Sequence, residues 1–311
     1  MCGGGGSSIG DYPSPSRVSE ISSRIGSDID QGAYANDVNN RLAEALQDAN
    51  ARDTGRLNTH LETIQRTLEN ELGESIQLRY GGSLRRHTSV DGLSDADLLV
   101  ILRANTALDA SPKALIEQFA QALRVRLPDT DISTGSLSVK VRFGDATEIQ
   151  LLPAFRTPSG LRIARPLGDT WSGVIRPDLF AQGLTELNQR LSGNVVRAIK
   201  LYKIAQSSLP EPDQLPGYHI EAIALEAFRN YSGPFQYKDV FLHLARQASQ
   251  AVLSRMPETT GQSAYVDSDL GAPSSPERVR VSKSIQRMVK RLELADSQGN
   301  IEAWEEQFGP W

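Results

Sequence analysis

The chain has 311 residues, with 33 Lys and Arg against 38 Asp and Glu and a net charge of −5, enough for one large or two modest domains with a buried core. Its 25 glycines and 16 prolines exclude collagen-like and wholly disordered chains, while Cys2, the only cysteine, excludes a disulfide framework or a cysteine-built zinc site. The acidic balance speaks against bulk nucleic-acid binding over one face but leaves room for a local basic cleft. His60, His87, His219 and His243 show no metal-ligand spacing, and the longest apolar run, Leu98–Leu102, falls far short of the ~20 residues of a membrane helix. The start, MCGGGGSS, carries neither a secretory signal nor the myristoylation pattern, so the expectation is a soluble cytoplasmic protein with no membrane contact.

In chain order, residues 1–16 read as a flexible Gly/Ser/Pro-rich tail. Residues 17–72 turn helical, with Val38, Leu42, Ala45 and Leu46, then Leu61, Ile64 and Leu68, at helical spacing before Gly73. Strands follow at Ser75–Tyr80 and Asp95–Leu102, the second becoming continuously apolar as if covered on both faces. After a helix over Pro112–Leu127, Leu137–Phe143 and Ala146–Leu152 alternate across Gly144–Asp145, which predicts a hairpin. Helices dominate beyond Pro166, over Pro177–Gln189, Gly193–Ser207, Tyr218–Asn230, Tyr237–Met256, Pro276–Ala295 and Ile301–Phe308. The expected fold is α+β: a mixed lobe over 17–166 packed on a helical lobe over 167–311, with the cleft between them as the default site.

The chemistry concentrates in Gly81-Gly82-Ser83 and Asp95-Ala96-Asp97. Glycines let a backbone approach phosphate closely, and N–H groups with the Ser83 hydroxyl can cradle its oxygens. Asp95 and Asp97, two apart at the start of a strand, point to one face. Carboxylates so placed call for a cation, and Mg²⁺ suits carboxylates combined with substrate phosphates; Mn²⁺ is also possible. Together these describe nucleotidyl transfer with two metal ions. Glu148, on the second hairpin strand, is the candidate for a third metal-binding carboxylate.

Gly82-Ser83, Asp95-Ala96-Asp97 and Leu152-Pro153-Ala154 together resemble the polymerase-beta-like nucleotidyltransferases, more narrowly the branch of oligoadenylate synthase and cyclic GMP-AMP synthase, whose bacterial members are the CD-NTases of CBASS anti-phage systems. Asn194–Tyr202 resembles the helix whose lysine contacts the nucleotide triphosphate, which places that role on Lys200. Ile220–Glu226 resembles the next helix, and Trp304–Gly309 the W-x-x-x-F-G ending. In many relatives the third carboxylate stands three residues before the proline of the L-P-A segment. Here that residue is Gln150, and Glu148 lies one step back on the same face.

The resemblance implies a polymerase-beta-like catalytic lobe and an enzyme that joins NTPs, ATP or another, into a cyclic or linear oligonucleotide. It also implies a CBASS effector as partner and, for the Gly309-Pro310-Trp311 tail, ubiquitin-like conjugation machinery. Two rivals stand beside it: transfer to another acceptor, such as tRNA, an antibiotic or a protein, and a nucleotide-binding pseudoenzyme.

Overall fold

The computed structural model describes residues 15–51, 54–93, 95–165, 168–260 and 264–310. Most of the expected tail, together with Ser94 and Trp311, lies outside the described residues. Two long helices come first, α1 (Pro15–Asp48) and α2 (Thr54–Leu72). They serve different cores. Val38, Leu42, Ala45 and Leu46 of α1 are buried in the helical core, whereas Leu57, Ile64 and Leu68 of α2 are buried against the sheet.

The sheet contains β1 (Gln77–Tyr80), β2 (Ala96–Leu102), β3 (Asp131–Thr134), β4 (Val139–Arg142), β5 (Glu148–Thr157) and β6 (Gly160–Ile163). Its order is β1-β2-β5-β4-β3, with β6 also on β5. Only β2 and β5 pair in parallel; the other pairs are antiparallel. Along its free side β5 pairs first with β4, through residue 151, and then with β6, from residue 154. Pro153 stands in the gap, where its missing N–H costs no ladder bond.

Three short or middle helices complete this half: α3 (Gly82–Arg85), α4 (Ala104–Asp109) and α5 (Pro112–Arg126). Alternation decides which side chains α5 and α2 cover. Ala96, Leu98, Val100 and Leu102 of β2 join Ile149 and Leu151 of β5 in that core. On the other face Ile101 packs with Ala154, Leu161, Ile163 and Ile175, so the far end of β2 is covered twice, as its apolar run predicts.

The β4–β5 hairpin forms, but its turn is wider than Gly144–Asp145. Phe143 N–H donates to Thr147 O at 2.9 Å, and Ala146 takes the left-handed conformation, φ 65°. Asp145 explains the difference, because its carboxylate accepts the Thr147 N–H at 3.0 Å and folds the chain locally.

The second half is helical, as expected: α6 (Pro177–Arg190), α7 (Asn194–Gln206), α8 (Gly217–Ala227), α9 (Tyr237–Ala251), α10 (Pro276–Gln298) and α11 (Glu302–Gln307). Helix α10 opens on the Ser275 cap, whose hydroxyl accepts from Arg278 N–H, and closes at left-handed Gly299. Trp304 and Phe308 are fully buried and pack with Phe241. Among the described residues, no helix is long and apolar enough to cross a membrane.

Candidate active site

The turn between β1 and α3 sits directly on β2. Gly81 N–H donates to Asp97 O at 2.8 Å, which ties the glycine turn to the strand that carries the aspartates. Gly82 has φ 45°, and a Cβ there would fall onto the Asp97 carboxylate, so both backbone and space demand glycine. At the start of α3 the Gly82 and Ser83 amides have no acceptor within the helix.

Asp97 faces away from the sheet core because its neighbour Leu98 points into it. Its register partner on β5 is Gln150. Asp95, just before β2, lies on the same side, and Gln150 Nε2 donates to its Oδ2 at 2.6 Å. Lys140 Nζ stands 4.0 Å from Asp95 Oδ2 and is ion-paired with Glu148. Burial raises Asp95 above the usual carboxylate range; Gln150 opposes this, and Glu148 adds to it. Asp97 is also raised, first by burial and then by the charge of Asp95, with Arg86 and Lys203 opposing.

A cavity of about 540 Å³ opens on this group, and Gly82, Ser83, Asp95 and Asp97 all line it. Glu148 lines a different cavity, of about 520 Å³, which it shares with Asp95. Lys200 lines a third, on the far side of α3, where its Nζ donates to Asn50 Oδ1 at 2.5 Å. The lysine that lines the main cavity is Lys203, one turn further along α7. Arg86, Glu221 and Tyr218 line it too, and none of the four was assigned a role from sequence. The available signal was the pair of lysines in the apolar stretch Val195–Gln206, where a buried charge asks for a partner.

The donor set suits a divalent cation. Two hard carboxylates share a small region in which burial disfavours both, with Glu148 adding to it at Asp95 and the charge of Asp95 adding to it at Asp97, and a cation would relieve that strain. Asp95 and Asp97 are the residues that would hold it. Among the described residues, no three Asp, Glu, His or Cys side chains converge as a ready metal cage.

Residues 37–188 match the family model of the Second Messenger Oligonucleotide or Dinucleotide Synthetase domain, SMODS. The chain carries a SMODS domain. It is therefore a nucleotidyltransferase of the kind that produces cyclic oligonucleotides. The SMODS match spans the whole sheet, from the end of α1 into α6, and takes in Ser83, Asp95, Asp97 and Glu148.

Solved structures agree on the fold, that of the polymerase-beta-like CD-NTases. The chain resembles CdnC of E. coli MS115-1, solved with ATP, at TM-score 0.63 and 16% identity over 87% of this chain and 97% of that one. CdnC also matches as a complex with HORMA-deltaN, at TM-score 0.60 and 16% identity over 87% and 96%. The CD-NTase CdnG of Bradyrhizobium diazoefficiens, in complex with GTP, gives 0.66 and 15% over 86% and 94%. The cyclic AMP-GMP synthase DncV of Vibrio cholerae gives 0.63 and 10% over 96% and 91%. No curated protein sequence matches the chain significantly.

Proposed function

We propose that this chain uses two Mg²⁺ ions to join nucleoside triphosphates into a cyclic or linear oligonucleotide that acts as a cytoplasmic second messenger in anti-phage defence. One observation carries the reading: the carboxylates of Asp95 and Asp97 and the Gly82-Ser83 turn face the same cavity. Bound divalent cations supply Lewis-acid polarisation of a phosphoryl oxygen and lower the pKa of an attacking hydroxyl. Asp95 and Asp97 hold them, and Glu148, whose charge reaches Asp95, is the third carboxylate of this reading.

The Gly82 and Ser83 amides and the Ser83 hydroxyl bind the phosphate chain at the opening turn of α3. Lys203, rather than Lys200, meets its charge, because Lys203 lines the cavity. Phe180 and Tyr218, whose ring centroids lie 4.7 Å apart, give the same cavity an aromatic wall against which a base can lie. Fixed donors and charges of this kind lower the barrier mainly by positioning and by neutralising charge.

The neighbours' bound ATP and GTP make these the first nucleotides to try, and the CdnC complex makes a HORMA protein a partner to test beside a CBASS effector. Conjugation of the Gly309–Trp311 tail by ubiquitin-like machinery belongs to the same reading. A second reading, nucleotide binding without turnover, draws on Gln150 standing opposite Asp97 and on Lys140 holding Glu148. One assay separates the two. Purified protein with Mg²⁺ and labelled NTP pairs is treated with phosphatase. A surviving nuclease-sensitive species supports synthesis, binding without product supports the second reading, and labelling only of an added tRNA, antibiotic or protein replaces both.

A further inference from the structure

Glu221 of α8 has no exposure to solvent, and a buried carboxylate is tolerated only when it is well paired. Its two oxygens serve different parts of the fold. Oε2 accepts from Arg86 Nε, at the end of α3. Oε1 accepts from the Thr88 hydroxyl and, at 3.2 Å, from Lys203 Nζ on α7. Lys203 Nζ also donates to Thr88 O at 2.9 Å, and the Arg86 guanidinium lies 5.5 Å from the ring centroids of both Phe180 and Tyr218. One carboxylate thus joins the segment after the phosphate-cradle turn to two helices of the other half.

The charge count matters. Arg86 and Lys203 bring two positive charges and Glu221 one negative, and the charge left over is felt by Asp97 on the same cavity, whose wall also carries Ser83. Without the carboxylate, buried Lys203 and half-buried Arg86 would repel each other with no shared acceptor. Burial draws Lys203 below its ordinary value, and Glu221 is the main opposing influence.

We propose that Glu221 is the positioning residue that holds Lys203 on the cavity wall, beside Arg86, as the receptor for the nucleotide's polyphosphate chain. This rests on the nucleotidyl-transfer reading above.

The test is calorimetric titration of the full chain with ATP and with inorganic tripolyphosphate, for the parent, Glu221→Gln, Lys203→Met and the double variant. Glu221→Gln and Lys203→Met each weaken both ligands by about tenfold, and the double variant is no weaker than Lys203→Met, because Glu221 acts through the lysine. In turnover, KM for ATP rises by that factor, while kcat stays within about threefold. Unchanged tripolyphosphate affinity in Glu221→Gln overturns the proposal, as do additive losses in the double variant. If Glu221→Gln does not fold, the double variant, which removes one charge of each sign, is compared with Lys203→Met alone; equal affinity supports the proposal and weaker affinity overturns it. A parent chain that binds neither ligand removes the nucleotide reading itself, whereas a parent that binds both and an indifferent Glu221→Gln removes only the role of Glu221.

Discussion

The Gln150 side-chain amide donates to Asp95 Oδ2 at 2.6 Å, across the parallel β2–β5 pair. This bond uses one of the two Asp95 oxygens and orients the other. Replacing Gln150 by Ala frees the carboxylate to rotate. The expected cost is about ten- to a hundredfold in turnover, the usual effect of removing a group that orients a ligand. Steady-state rates across a Mg²⁺ titration measure it. Unchanged kinetics would show that Asp95 needs no such partner.

Asp97→Asn removes a carboxylate that burial and Asp95 both disfavour. Turnover falls by about a thousandfold or more, since several kcal/mol of transition-state stabilisation go with it. Thermal stability without metal moves the other way and rises, because the folded state no longer holds two mutually repelling charges. Parallel melting curves and product assays check the pair of effects. A variant that melts lower than the parent contradicts the electrostatic account.

Gly82→Ala places a methyl group on the Asp97 carboxylate and asks alanine for φ 45°. The left-handed backbone alone costs about 1–2 kcal/mol, and the displaced carboxylate adds loss of turnover. Urea unfolding and product formation should both register the change. If either stays at the parent level, the close approach of the turn to Asp97 is not what the site depends on.

His219 is buried, with neither ring nitrogen hydrogen-bonded among the described residues, and burial holds it below its ordinary pKa, despite Asp267 3.8 Å away. In the unfolded chain the ring takes up a proton below about pH 6.5, whereas the folded chain resists it. Stability is therefore full above that pH and declines as pH falls below it. Asp267 is pushed up by burial but held low by Arg278 and the Met256 N–H, so its own contribution fades only below the ordinary carboxylate range. The urea midpoint of His219→Gln should fall less steeply between pH 6.5 and 5 than that of the parent. Parallel slopes would count against the buried neutral ring.

Much of the fold was legible because its signals are local. The period-two pattern from Ala96 to Leu102 required Asp97 to face away from Leu98, whatever packed on either side. The helical starts at Pro177, Tyr237 and Pro276 agree with the apolar spacing, and at the two prolines with a first position that needs no N–H. Strands β3 and β6, four residues each, carried too little pattern to be seen before their partners were known. The Ala146 turn was missed because Asp145 competes for a backbone donor two residues on.

The amino-acid sequence by itself determined the glycine turn, the aspartate pair and the longer strands and helices, since each depends on neighbours within a few residues. Only the tertiary structure decided which lysine of α7 lines the cavity of the aspartates, and that Glu221 joins it to Arg86. Lys200 and Lys203 differ by about 60° around the helix axis, a difference that becomes two separate cavities only when α8 and the segment around Thr88 dock against it. Side-chain direction along one element is a local property; the cavity it reaches is set by how distant elements pack.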